Sequence, residues 1–108
     1  MRRFASLRRQ ADFARVRRQG RRLSTKSLVI FRSDSLSGDV TSLVGITVNK
    51  SIGKAVIRNK LRRRLAAIVN ETLASEGTIR LLVVARPDAA ALPFSDLRAE
   101  VTSALRRA

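Results

Sequence analysis

"IGKAVIRNKLRRRLAAIVN", residues 52–70, sets apolar and cationic side chains on one helical repeat. At about 100° per residue, Ile57, Leu61, Leu65, Ile68 and Thr72 fall in one stripe, the pattern of a helix that buries a single face. It predicts a helix over roughly residues 54–75. Arg58, Asn59, Arg62 and Arg63 share an adjoining face beside the small Ala55 and Ala66, while Lys60 and Arg64 fall on the other flank. Six cations lie between Lys54 and Arg64, and no acidic residue follows until Glu71. Like charges one turn apart destabilise a helix. Such crowding makes sense where the helix meets an anionic surface; the alternative is a merely solvated face.

The segments on either side supply the rest of the fold. "VTSLVGITVNK", residues 40–50, reads as a strand with Val44, Ile46 and Val48 on one face. "KSLVIFRS", residues 26–33, reads as another, and the short link "DSLSGD" between them predicts an antiparallel hairpin. "TIRLLVVAR", residues 78–86, is apolar on both faces, as a central strand is. Pro87 and Pro93 frame a loop, after which Ser95 is placed to cap a last helix with Leu97, Val101 and Leu105 facing inward. "ADFARVRRQG", residues 11–20, reads as a short helix carrying Phe13 and Val16, with Gly20 as its stop. The order α-β-β-α-β-α defines a single α+β sandwich, with helices packed on a small sheet and residues 1–108 as one domain.

Composition bounds the function. With 108 residues, 44% of them apolar, the chain can bury a core without metal or disulfide staples. Cysteine is absent, which fits a reducing compartment, and a cytoplasmic location is expected. No apolar run approaches the ~18 residues of a membrane span. The Arg-rich start "MRRFASLRRQADF" is interrupted by Arg8, Arg9 and Asp12, unlike the apolar centre of a cleaved leader. The net charge is +15, and its distribution tells more than its size. Residues 1–22 hold nine Arg and one Asp, residues 50–64 hold seven Lys or Arg and no acid, and the remainder balances. Two cationic segments on a neutral scaffold point to a polyanion. Nucleic acid is favoured over an anionic membrane, for which there is no amphipathic anchor.

Catalytic chemistry is not legible. Histidine is absent, and with it the commonest general base and metal ligand. The carboxylates Asp12, Asp34, Asp39, Glu71, Glu76, Asp88, Asp96 and Glu100 show no paired spacing and read mostly as solvated or capping groups. The Ser and Thr residues lack an activating base. "SIGKAV" has one glycine and is not a P-loop. The polypeptide is expected to perform no bond chemistry alone and to bind no cofactor by itself.

"SLVGITVNKSIGKAVIRNKLRRRL", residues 42–65, resembles the signature region of the bacterial ribonuclease P protein component. The resemblance runs through Gly45, Val48, Lys50, Ile52, Gly53, Ala55, Val56, Arg58, Asn59, Leu61, Arg62 and Arg63, and "ADFARVRRQG" and "LLVVARP" support it. It implies a sandwich like a ribosomal-protein domain, with a left-handed βαβ crossover that general rules would have drawn right-handed. It also implies that a catalytic RNA subunit, with Mg²⁺ at the RNA active site, removes the 5′ leader of precursor tRNA while the protein binds both RNAs. Lys50, Lys54, Arg58, Asn59, Lys60, Arg62 and Arg63 are then the contacts to the catalytic RNA, and Phe13, Arg17, Phe31 and Thr47 those to the leader. Cations on phosphate give affinity with little sequence information, which suits many precursor substrates. Asn59 either reaches a sugar or base edge or bonds backbone at the helix start. Phe13 and Phe31 either stack on unpaired bases or belong to the core. The chain departs from the family pattern at Arg17, where a second aromatic is frequent, at Ser51, where a second Lys is, and at Ala66, where a cation is. Two rival classes share the basic-sandwich physics: a ribosomal or RNA-assembly protein, which the Arg-Asn signature disfavours, and a nucleoid DNA binder, which needs no surface for unpaired bases.

Overall fold

Ile79–Ala85 forms β5, in which only Val84 is less than fully buried. A strand so apolar on both faces needs a neighbour at each edge and a layer on each side, and the computed structural model, which describes residues 2–107, gives it both. The other strands are β1 (Phe4–Ser6), β2 (Arg21–Ser24), β3 (Leu28–Asp34) and β4 (Ser42–Thr47). The helices are α1 (Gln10–Gln19), α2 (Ala55–Thr72) and α3 (Phe94–Arg107). Strand order is β1-β4-β5-β3-β2, with β5 parallel to β4 and antiparallel to β3. The central strand expected from residues 78–86 is therefore present, and the fold is α+β with one mixed sheet.

The expected hairpin of residues 26–33 and 40–50 does not form, because β5 lies between those two strands. The link over residues 35–41 has only to span two strand spacings, about 10 Å, well within its reach. Separating β3 from β4 lets the most apolar strand fill the centre. The edge strands β1 and β2 are additions to the expected order; they are short, and β2 is largely exposed. Ser95 does not cap α3, which begins at Phe94; Pro93 O instead accepts the N–H groups of Asp96 and Leu97 at 3.1 Å each. A proline suits the position before a helix because its φ is preset and it has no N–H to leave unpaired.

One face of the sheet carries the main core. Leu28, Ile30, Val44, Leu81 and Val83 pack there against Leu61, Leu65 and Ile68 of α2 and Leu97, Val101 and Leu105 of α3. The helical stripe is realised except at its N-terminal end, where Ile57 stays 44% exposed. The opposite face is covered only in part. There α1 runs from β1, on one edge, to β2, on the other, and its Val16 joins Leu7 and Leu82 in a second, smaller core. Ten residues of helix reach about 15 Å, short of the roughly 19 Å between the two edge strands, so the flanking residues complete the crossing and much of the face stays uncovered.

Arg80 of β5 fixes where α1 lies. It is 6% exposed, with its Nε and Nη2 donating to the two carboxylate oxygens of Asp39 at 2.9 and 3.0 Å and its Nη1 to Asp12 of α1 at 3.3 Å. Asp39 also accepts the Leu36 N–H at 2.8 Å, which shapes the link. The guanidinium holds the Asp39 carboxyl down at about 2, against an ordinary value of 3.8. A depressed carboxyl contributes stability that is present above its ordinary range and is lost as pH falls from near 3.8 through about 2. Asp39→Asn should therefore cost about 3 kcal/mol near neutral pH, the scale of a broken buried ion pair. The variant should also lose less of its remaining stability across the acid range than the parent does. Denaturant unfolding at a series of pH values measures both effects.

Candidate nucleic-acid interface

Cations without a neighbouring acid are gathered at the start of α2. Buried Val48 anchors the end of β4, and the chain then makes a 3₁₀ turn, Lys50–Ile52. Gly53 follows with φ 148° and ψ −162°, a conformation that side-chain-bearing residues rarely adopt. That turn aims the axis of α2, whose N-cap position is Lys54, with no side-chain acceptor there and no acid in the first turn. The helix dipole already places positive charge at this end. Adding Lys50, Lys54 and Arg58 to it is unfavourable until an anion arrives, and the free N–H groups of a helix start suit that anion.

The residues expected to hold the catalytic RNA lie around the start of α2, all but Lys60 on one side of it. Lys50, Lys54, Asn59, Lys60 and Arg63 are exposed, and Arg58 and Arg62 are half-buried. Arg58 Nε donates to Gly53 O at 3.1 Å, which steadies the turn and leaves the other guanidinium N–H groups available. Asn59 Oδ1 accepts a bond from Arg62 Nη1 at 2.8 Å, so Asn59 bonds a neighbouring side chain and orients Arg62. Lys60 and Arg64 lie on the opposite flank, where Arg64 Nη1 donates to Leu92 O at 3.4 Å.

The N-terminal cations join this face, a juxtaposition the sequence reading missed. Arg3 N donates to Asn70 Oδ1 of α2, and Thr41 Oγ1 donates to Arg3 O at 3.1 Å. The Arg2 guanidinium lies 4.3 Å from the centre of the Phe4 ring. Arg2, Phe4, Phe13, Gly45, Arg62 and Ala66 line one cavity of about 200 Å³. At Ala66, where the resemblance leaves a cation missing, a cation from the chain start stands beside the helix instead. Among the described residues, the ion pairs fall on Arg32, Arg80 and Arg98, and none uses a Lys or Arg of residues 2–22 or 50–64. The cations of both segments face solvent without a carboxylate.

The open part of the α1 face forms a second element. Register places Phe31, Leu82 and Gly45 in one row across β3, β5 and β4, and Val29, Val84 and Thr47 in the next. Phe13 of α1 lies on Gly45: a Cβ there would stand 2.6 Å from the ring. Phe13 and Phe31 both pack against the small core of Leu7, Val16 and Leu82, and both remain half-buried. Each ring thus serves packing while keeping part of its surface open. Thr47 is half-buried in the row beyond, and Arg17 is exposed one turn after Phe13. Arg86, also unforeseen, follows β5 and is held by Thr25 O at 2.9 Å and Ser24 Oγ at 2.8 Å. The result is an apolar strip between α1 and a fixed cation.

An α+β sandwich with one open sheet face, whose excess charge is gathered unpaired on a helix start and a chain start, defines a class: a small protein built to hold a polyanion. The chain belongs to the ribonuclease P protein family, whose model matches residues 1–108. It is 40% identical over 107 residues to a ribonuclease P protein component of Thermobifida fusca, covering 93% of this chain and 73% of the relative. With that of Acidothermus cellulolyticus it shares 40% identity over 102 residues, covering 94% and 85%. The fold is similar to that of the RNase P protein from Thermotoga maritima, with a TM-score of 0.80 at 24% identity over 96% of this chain and 97% of that one.

Gly45→Ala tests whether the two elements are separable. The added methyl must push the Phe13 ring aside, and a cost of about 1 kcal/mol should lower the melting temperature by about 5 °C. Binding to a heparin column, which reads the cations of α2, should stay at the parental salt concentration.

Proposed function

We propose that this chain is the RNA-gripping subunit of ribonuclease P, binding the catalytic RNA and the 5′ leader of precursor tRNA and so assisting endonucleolytic release of the mature 5′ end. The observation that carries this reading is the approach of the chain-start cations Arg2 and Arg3 to the unpaired cations of α2, beside an open, aromatic-bearing sheet face. Phosphates of the catalytic RNA meet Lys50, Lys54, Arg58, Lys60, Arg62 and Arg63, and Asn59, already orienting Arg62, takes a sugar or base edge. Leader nucleotides lie along the strip of Phe13, Phe31 and Thr47, with Arg17 on a phosphate. Stacking on rings tolerates any base, which suits a subunit that serves many precursors.

Chemistry is assigned to the RNA. The Mg²⁺ of hydrolysis is assigned to the RNA active site, as the family resemblance implies, and no step is routed through the protein. The protein's contribution is electrostatic and positional: its cations offset repulsion between the RNA subunit and its substrate, and its cleft holds the leader in register. Among the described residues no helix is long and apolar enough to cross a membrane. The partners proposed are RNA, not DNA, and the location proposed is the cytoplasm.

Cleavage of 5′-labelled precursor tRNA by the catalytic RNA, with and without the protein, tests the whole reading. The protein alone should not cut. It should raise RNA-catalysed cleavage most at low Mg²⁺, where fewer counterions shield the phosphates. Specific cutting at the mature 5′ end by RNA-free protein, or no rate gain at low Mg²⁺, would overturn it. A second measurement isolates α2. Replacing Arg62 and Arg63 by Ala should reduce the log–log salt slope of catalytic-RNA binding by about 1.4 units, if each makes one contact of single-strand character.

A further inference from the structure

Cations do not account for the whole of the α2 surface. Among the described residues three large apolar side chains are exposed, and two of them are neighbours here: Val56 at 78% and Ile57 at 44%. They border a groove of about 450 Å³ whose lining is completed by Ile52, Leu61, Ala90 and Ala91, with Lys60 and Arg64 on its rim. No carboxylate lines it. A valine exposed in the first turn of a helix gains nothing from packing and is a poorer helix former than alanine. Scattered apolar residues on a surface need no explanation, but a contiguous patch beside a groove does.

The surroundings select the occupant. On the helix wheel Val56 lies about 40° from Lys60 and about 20° from Arg63, so an RNA strand held by these two cations passes over it. A second copy of the chain is disfavoured because each copy carries +15 and the groove is rimmed by Lys60 and Arg64 with no carboxylate to meet them. Apolar side chains set among phosphate-binding cations are the arrangement by which proteins wedge against bases that have left the stack.

We infer that Val56 and Ile57 form an apolar wedge that seats one unstacked nucleobase of the catalytic RNA over the groove, with Lys60 and Arg64 taking the phosphates on either side. The inference rests on the reading of α2 as the face for catalytic RNA, and assigns that face a base contact in addition to its charge contacts.

Val56→Ala tests it without risk to the fold, because the side chain is exposed and alanine favours the helix. Binding of the purified variant to catalytic-RNA transcript should be roughly three- to tenfold weaker, the worth of one or two buried methyl groups. The salt slope should be unchanged, since no counterion is involved. One unpaired nucleotide that the parent protein shields from dimethyl sulfate should become reactive. Parental affinity would overturn the wedge, and so would a loss of affinity with no base changing its reactivity. The double Arg62 and Arg63 replacement, run in parallel, separates the two levels. If it weakens binding and Val56→Ala does not, only the wedge falls; if neither does, the reading of α2 falls first.

Discussion

Arg80 holds together three parts of the chain that are distant in sequence: α1 through Asp12, the β3–β4 link through Asp39, and the central strand that carries it. Removing a guanidinium from water is costly, and one carboxylate in good geometry only about offsets it. Here the pairing with Asp39 uses both oxygens, and Asp12 adds a third bond. The pairing settles where the ten-residue helix crosses a wider sheet. With Asp12 drawn to the row of Arg80, Phe13 comes down on Gly45 one row further along, and the row of Val29, Val84 and Thr47 is left uncovered. The open strip is thus a consequence of one buried ion pair.

The same economy of acids shapes the charged surface. Glu100 of α3 accepts bonds from Thr25 Oγ1 and the Ser27 N–H and so fastens the β2–β3 turn, Glu76 pairs with Arg32, and Glu71 pairs with Arg98. Nearly every acid so engaged serves the scaffold. Among the described residues the Lys and Arg of both cationic segments stay without a carboxylate partner, and Lys54 and Arg58 stand at the start of α2, where the helix dipole adds to their charge. Spread evenly, the same net charge would raise solubility and little else. Concentrated beside an apolar strip, it supplies long-range attraction toward a phosphate backbone and a short-range place for bases.

Helices and the central strand were legible because their periods are strong: the stripe of Leu61, Leu65 and Ile68 and the uninterrupted apolar run of residues 81–85 each admit one reading. Pairing was not. The link of residues 34–39 is as compatible with a hairpin as with a bridge over an inserted strand, and only competition for the centre decides between them. The edge strands escaped notice because "FAS" and "RRLS" have no alternation to read. At the site, the cations of α2 were visible from charge segregation alone. Asp12 and Asp39, read as solvated, belong with a buried arginine 68 and 41 residues away, which no local pattern announces. The approach of Arg2 to Arg62 and Ala66 is equally non-local. The two phenylalanines were posed as either core or contact; both pack against the small core and keep part of each ring open.

The crowding of cations on α2 can then be understood through what the other side of the helix does. Leu61, Leu65, Ile68 and Val69 are fully or almost fully buried, each such side chain contributing about 1.5–3 kcal/mol. Repulsion between exposed neighbouring cations amounts to a few tenths of a kcal/mol per pair and is screened by salt. Burial wins by a wide margin, so the helix is formed before any RNA arrives. Its cations are therefore held in place at no further cost in backbone ordering when they bind, and the repulsion stored among them is relieved by the first phosphates to reach them. A disordered basic tail with the same charge would have to be ordered in the act of binding, and would grip less tightly for each contact made. Fixing the helix on the sheet converts charge that would otherwise be a liability into affinity.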